Sequence, residues 1–162
     1  MNARVAGVGC ALAAALSAAA ASAATPPVAA NGATTATLSS TKAGAKPVAL
    51  TLTVHYEMVC GRPGRGTAIV TLPEAAAVPA SIARSAVLVD GEPAPSVSVS
   101  GHDVSIAMPL THGVTCMSIG PGTLTLTLTR AARMGNPKSP GTYTVRIRRG
   151  TRSFQARVHI SA

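Results

Sequence analysis

The residues whose types and spacing could do chemistry fall into two groups. The first is sulfur and imidazole: Cys60, and then His112, Cys116 and Met117 within one run of six residues. The second is guanidinium: Arg146, Arg148 and Arg157, each set between apolar neighbours near the C-terminus. Two thiols in an oxidising compartment pair, and a Cys60–Cys116 bridge would close a loop of about 57 residues, worth roughly 4 kcal/mol in the chain-entropy model. Soft sulfur beside imidazole is also copper chemistry, and His112, Cys116 and Met117 form that alternative, in which the chain is an exported copper- or small-ligand-binding protein. Its spacing argues against it, because a blue-copper loop sets a second His between its Cys and its Met. Met58 and Met108, the nearest further sulfurs, fall on apolar strand positions. The expectation is a disulfide, with no metal and no cofactor.

Catalytic groups are scarce. The carboxylates are Glu57, Glu74, Asp90, Glu92 and Asp103. Glu57 falls on an outward strand position, Asp90 in a turn, and Glu74 and Glu92 beside prolines. No two have a spacing that suggests acid–base work. Gly61–Gly66 is glycine-rich but lacks the strand–loop–helix setting of a phosphate cradle, and no Gly-x-Ser-x-Gly occurs. His55, His102, His112 and His159 are isolated from one another. The chain is not expected to be an enzyme.

The basic end offers more. Beyond Asp103 there is no acidic residue, while Arg130, Arg133, Lys138, Arg146, Arg148, Arg149, Arg152 and Arg157 all lie there. Arg146 and Arg148 alternate with Val145 and Ile147; Arg157 and His159 alternate with Phe154, Val158 and Ile160. If the two runs pair across Arg149-Gly150, their cations share one solvent face. Such a face can simply be solvated, and charge on it blunts a sheet edge against aggregation. It can also contact an anionic cell-envelope polymer or the acidic surface of another protein. Nucleic acid is not expected: the chain carries an export signal, and it offers no exposed aromatic for a base to stack on. With no Trp, and with Tyr56, Tyr143 and Phe154 at core positions, a sugar-stacking platform is not expected either.

These groups need elements to position them. Residues 1–23 read as a secretory signal peptide: Arg4, an apolar run over 5–20, and Ala21-Ser22-Ala23 as cleavage site. Cleavage removes Arg4 and Cys10, so the formal charge of +9 becomes +8 and two cysteines remain. No segment of the mature chain is expected to span a membrane. Residues 24–46, rich in Ala, Thr, Ser, Gly and Pro, read as a flexible linker, with Thr35–Leu38 as a possible extra edge strand. Residues 47–162 read as one all-β domain. Its alternating runs are 47–58, 67–72, 86–90, 96–100, 104–108, 122–129, 142–148 and 153–160, each bounded by Gly, Pro or Asp-Gly turn signals. About seven to eight such strands predict an antiparallel sandwich.

Three stretches carry a resemblance: TAIVTLPEAAAVPASIARSAVLVDG (67–91), SVSVSGHDVSIAMP (96–109) and TLTLTLTRAARMGNPKSPGTYTVRI (123–147). Together they resemble an immunoglobulin-like β-sandwich module that recurs in secreted and S-layer-associated bacterial surface proteins. Gly135-Asn136-Pro137 and Gly141-Thr142-Tyr143 are similar to its asparagine-proline and glycine-threonine-tyrosine elements. The resemblance implies an extracellular, non-enzymatic building block of the cell surface. Within it, Tyr143 shares a face with Val145 and Ile147, so its ring belongs to the core and its hydroxyl needs a partner.

Two outcomes follow. Mass spectrometry of the secreted protein is expected to find a chain starting near Ala24; an extracellular form that keeps Met1 contradicts the leader. Thiol labelling of the denatured, unreduced protein is expected to find neither Cys60 nor Cys116 free. Replacing both by Ser lowers stability by roughly 2–4 kcal/mol without abolishing the fold, since the alternating core remains.

Overall fold

A strand with a two-residue period hides one face only, so each alternating run needs a second layer to bury it. The computed structural model describes residues 34–57, 66–109 and 121–162, without the side chains of 56, 57, 121 and 122. The leader, Cys60, His112, Cys116 and Met117 lie outside the described residues. In chain order the strands are β1 (Thr34–Leu38), β2 (Leu50–Glu57), β3 (Thr67–Thr71), β4 (Val87–Val89), β5 (Glu92–Pro93), β6 (Val97–Ser100), β7 (Asp103–Ala107), β8 (Pro121–Leu128), β9 (Gly141–Arg149) and β10 (Arg152–Ile160). They form two five-stranded antiparallel sheets, β1-β2-β8-β4-β5 and β10-β9-β3-β7-β6. Two single turns of 3-10 helix, Arg84–Ala86 and Arg130–Ala132, are the helical segments among the described residues.

The inward positions are those that the alternation selects. Leu50, Leu52 and Val54 face Leu124, Leu126 and Leu128 along the β2–β8 ladder, and all six are buried. The other sheet answers with Ala68, Val70, Val104, Ile106, Val145, Ile147, Phe154 and Val158, and the two sets form one core. A fully buried Leu, Ile or Val contributes roughly 1.5–3 kcal/mol of transfer free energy, so this shared layer dominates the stability.

Two expectations need correction. The strand count exceeds seven to eight because β1 arises from a segment without an apolar period and β5 is only two residues long. Residues 34–46 are not linker. Thr34–Leu38 pairs with Leu50–Val54, and residues 39–46 are fastened to the far end of the chain. The backbone N–H of Ala43 donates to Ser161 (2.9 Å), that of Ser161 to Thr41 (2.8 Å), and that of Gly44 to Pro137 (2.8 Å). The cause is Asn136, the buried polar side chain among the described residues. Its Nδ2 donates to the carbonyls of Ser40 and Lys42, both at 2.9 Å, and its backbone N–H donates to Ala45 at 3.0 Å. Gly135 permits the approach. A Cβ there would stand 3.2 Å from the Ala77 Cβ and 3.3 Å from the Ala45 oxygen. Composition made this segment read as linker, whereas long-range hydrogen bonds decide its state.

Turn chemistry matches the sequence elsewhere. Asp90 and Gly91 both take positive φ, 49° and 89°, and the Asp90 carboxylate accepts the Thr125 N–H at 2.7 Å. Tyr143 packs against the core, and its hydroxyl donates to the Ser139 carbonyl at 2.9 Å.

Asn136→Ala strands two carbonyls and is expected to cost about 1–3 kcal/mol in chemical denaturation. Asn136→Asp is expected to cost more at neutral pH. It sets carboxylate oxygen against carbonyl oxygen in a buried site, so the new group is held protonated in the fold. The folded-state pKa then lies above the unfolded one, and the variant's deficit grows as pH rises between the two. A deficit independent of pH contradicts the proposed role of Asn136.

Candidate functional site

Strands β9 and β10 leave the Gly150 turn as partners, with Arg149 opposite Arg152. Their inner positions, Val145, Ile147, Phe154, Ala156, Val158 and Ile160, are buried, which forces Arg146, Arg148 and Arg157 outward. All three arginines are exposed on the outer face of one sheet. The register sets Arg146 opposite Gln155, Arg148 opposite Ser153, and Arg157 opposite Thr144. Arg146 and Arg148 are therefore about 7 Å apart along one strand, and Arg157 is a diagonal neighbour of Arg146 at about 8 Å. At such distances in water, like charges repel by only about 0.5 kcal/mol per pair, so the cluster persists without counter-ions. None of the three makes a hydrogen bond or ion pair with a described residue.

The face continues over β3 and β7. One rank across the sheet reads Gln155, Arg146, Thr71, Asp103, Ser100; the next reads Ser153, Arg148, Ile69, Ser105, Ser98. Asp103 is thus an acidic group on the basic face, two strands from Arg146. Its Oδ1 accepts the Thr71 hydroxyl at 2.6 Å, which holds the carboxylate toward β3. Sequence reasoning did not place Asp103 here. Its position depends on the β3–β7 and β3–β9 pairings, and no local pattern encodes those.

The sulfur and imidazole group, Cys60, His112, Cys116 and Met117, lies outside the described residues. Only the strands that flank them are visible. The β2–β8 ladder ends at Glu57 opposite Pro121, three residues before Cys60 and five after Cys116 in the sequence. Among the described residues no cluster of three or more His, Cys, Asp or Glu side chains could hold a metal ion. Asp90 is engaged with the Thr125 backbone and Asp103 with Thr71. An open cleft at one end of the sandwich is lined by Leu38, Val48, Leu50, Met134, Val145 and Ile160, among others, and no titratable side chain reaches it. No helix among the described residues is long and apolar enough to cross a membrane.

The chemical capacity of this surface is that of a fixed, diffuse positive field on a rigid sheet. No family model and no curated protein matches the sequence. Among solved structures, the chain is similar to BslA, described as a bacterial hydrophobin. The TM-score is 0.47 and the identity 19%, over 79% of this chain and 96% of that one.

Proposed function

We propose that this chain is a secreted, non-enzymatic module of immunoglobulin-like topology, acting at the cell envelope or outside the cell, whose basic sheet face contacts anionic surface polymer. The observation that carries the reading is the co-facial placement of Arg146, Arg148 and Arg157, exposed and without ion-pair partners among the described residues. Export rests on the leader at 1–23. The topology supports the immunoglobulin-like part. β1, β2, β8 and β4 stand in the order of the A, B, E and D strands of that fold, and β3, β9 and β10 in the order of C, F and G. The chain departs from the fold between β3 and β8, where β4 pairs into one sheet before β6 and β7 join the other.

A flat array of arginines with no shaped pocket gives attraction without readout. Binding to polyglutamate or to envelope material is therefore expected to weaken steeply with salt, as the Debye length falls from ~10 Å at 0.1 M to ~3 Å at 1 M. Each Arg→Ala change at the three positions is expected to lower affinity about fivefold, roughly 1 kcal/mol per charge near an anionic surface. Strand content stays unchanged, because the side chains face water. Arg→Lys changes cost less, since a diffuse field needs charge and not a bidentate fork. Asp103→Asn is expected to tighten binding by removing the face's acidic group. Indifference to all four substitutions at low salt reduces the arginines to solubility and edge protection.

A further inference from the structure

The outer face of the opposite sheet carries a second, chemically distinct array. On β1, β2 and β8 the outward positions with described side chains are Thr35, Thr37, Thr51, Thr53, His55, Thr123, Thr125 and Thr127. The ladders set Thr35, Thr53 and Thr125 in one rank across three strands, and Thr37, Thr51 and Thr127 in the next. Neighbours within a rank are about 4.8 Å apart and the ranks about 6.8 Å apart, as strand geometry fixes. The hydroxyls of Thr51 and Thr127 are 3.4 Å apart, within hydrogen-bond reach.

Strand propensity does not account for this pattern. Threonine favours strands on either sheet. Yet the outer face of the arginine-bearing sheet mixes Arg, Gln, His, Ser, Thr, Ile and Asp, whereas the ranks on β1, β2 and β8 hold threonine alone. No Lys or Arg interrupts the two ranks, in a chain whose formal net charge is +9. Even β1, an edge strand, carries no protective charge. The threonine ranks themselves carry no charge, with the Asp90 carboxylate at their border on the Thr125 N–H; they are regular in two dimensions and stiff, because a β-branched side chain has little χ1 freedom to lose.

Those properties select the occupant. A polyanion finds no counter-charge here. A sugar lattice is gripped through aromatic stacking, and the ranks contain no aromatic. A neutral lattice of water matches: each threonine offers a hydroxyl that can join the lattice and a methyl that can sit in its gaps. The rank and strand repeats are close to those of the oxygen rows on a prism face of hexagonal ice. A rotation of 20–25° per strand displaces a threonine 3.4 Å from the mid-line by about 1.3 Å on each side of β2, and by about 2.6 Å between β1 and β8, so the match is local to neighbouring strands. We infer that the threonine face of β1, β2 and β8 is an ice-binding surface.

The test uses the full mature chain and ice itself as the probe. The protein is expected to be captured by a slowly growing ice front and to shape ice crystals held just below the melting point. Thr53→Lys with Thr125→Lys, on neighbouring strands of one rank, is expected to cut capture roughly tenfold or more, because a hydrated ammonium cannot enter the lattice. Thr53→Ser with Thr125→Ser keeps the hydroxyls, removes two methyls and is expected to give an intermediate loss. Circular dichroism and the melting temperature confirm that each variant is folded. The Arg146, Arg148 and Arg157 triple Ala variant is expected to be captured as well as the parent, which separates this face from the polymer-binding one. Exclusion of the parent from ice, like an inert protein of its size, overturns the inference. So does full capture of the folded double-Lys variant.

Discussion

The structure depends on the pairing of β2 with β8. These are the two longest strands of their sheet, and each inward residue of one stands opposite an inward residue of the other. A slip by one residue would turn every leucine to water and every threonine to the core, so that error is excluded by burial. A slip by two is a different matter, because TLTLTLT looks the same after it. Across the β2–β8 pair, the Thr123 hydroxyl meets His55. On the other side of β8, the Asp90 carboxylate takes the Thr125 N–H and the Ala86 carbonyl takes both the N–H and the hydroxyl of Thr129, which fixes β8 against β4. A few polar contacts thereby select one register from several that the hydrophobic effect would accept.

The same two-residue period sorts the surface. Because inward positions are fixed by the core, the outward positions are free to differ between the sheets, and they do. One sheet shows guanidinium groups among hydroxyls, the other two ranks of threonine bordered by His55 and Asp90. The two fields point away from each other, with the core between them. A charged partner on one face therefore does not compete sterically with a neutral partner on the other. The sandwich is a spacer that presents two chemistries at a fixed distance.

Local patterns were legible in proportion to their range. The alternation at 47–58, 122–129, 142–148 and 153–160 reads as strands whose inward residues, where described, are buried or, at Tyr143, half-buried, with Arg146, Arg148 and Arg157 on a common outer face. Asp90-Gly91 and Gly150 read as turns because positive φ is a local demand. The segment 39–46 did not read as structure. Its order comes from Asn136 and Ser161, which lie about 95 and 120 residues further along the chain. Asp103 on the basic face and the threonine ranks were hidden for the same reason. Both are products of ladder register, and register between distant strands has no signature within either strand. The cysteines could be read only as a pair, and they lie beyond the described residues.

The tie between Thr41 and Ser161 has a temporal side. It joins residues separated by 120 positions, and Asn136 clamps the same segment from a third point. A chain emerging from its N-terminus reaches β1 and β2 first, but their sheet lacks β8 until residue 128 is available, and the clamp lacks its last strut until residue 161. Contacts this distant in sequence make folding slow and late, since the loop entropy is spent before the contacts form. The native state forms only when the final strand arrives, so a chain truncated near its end lacks the closure that completes the domain.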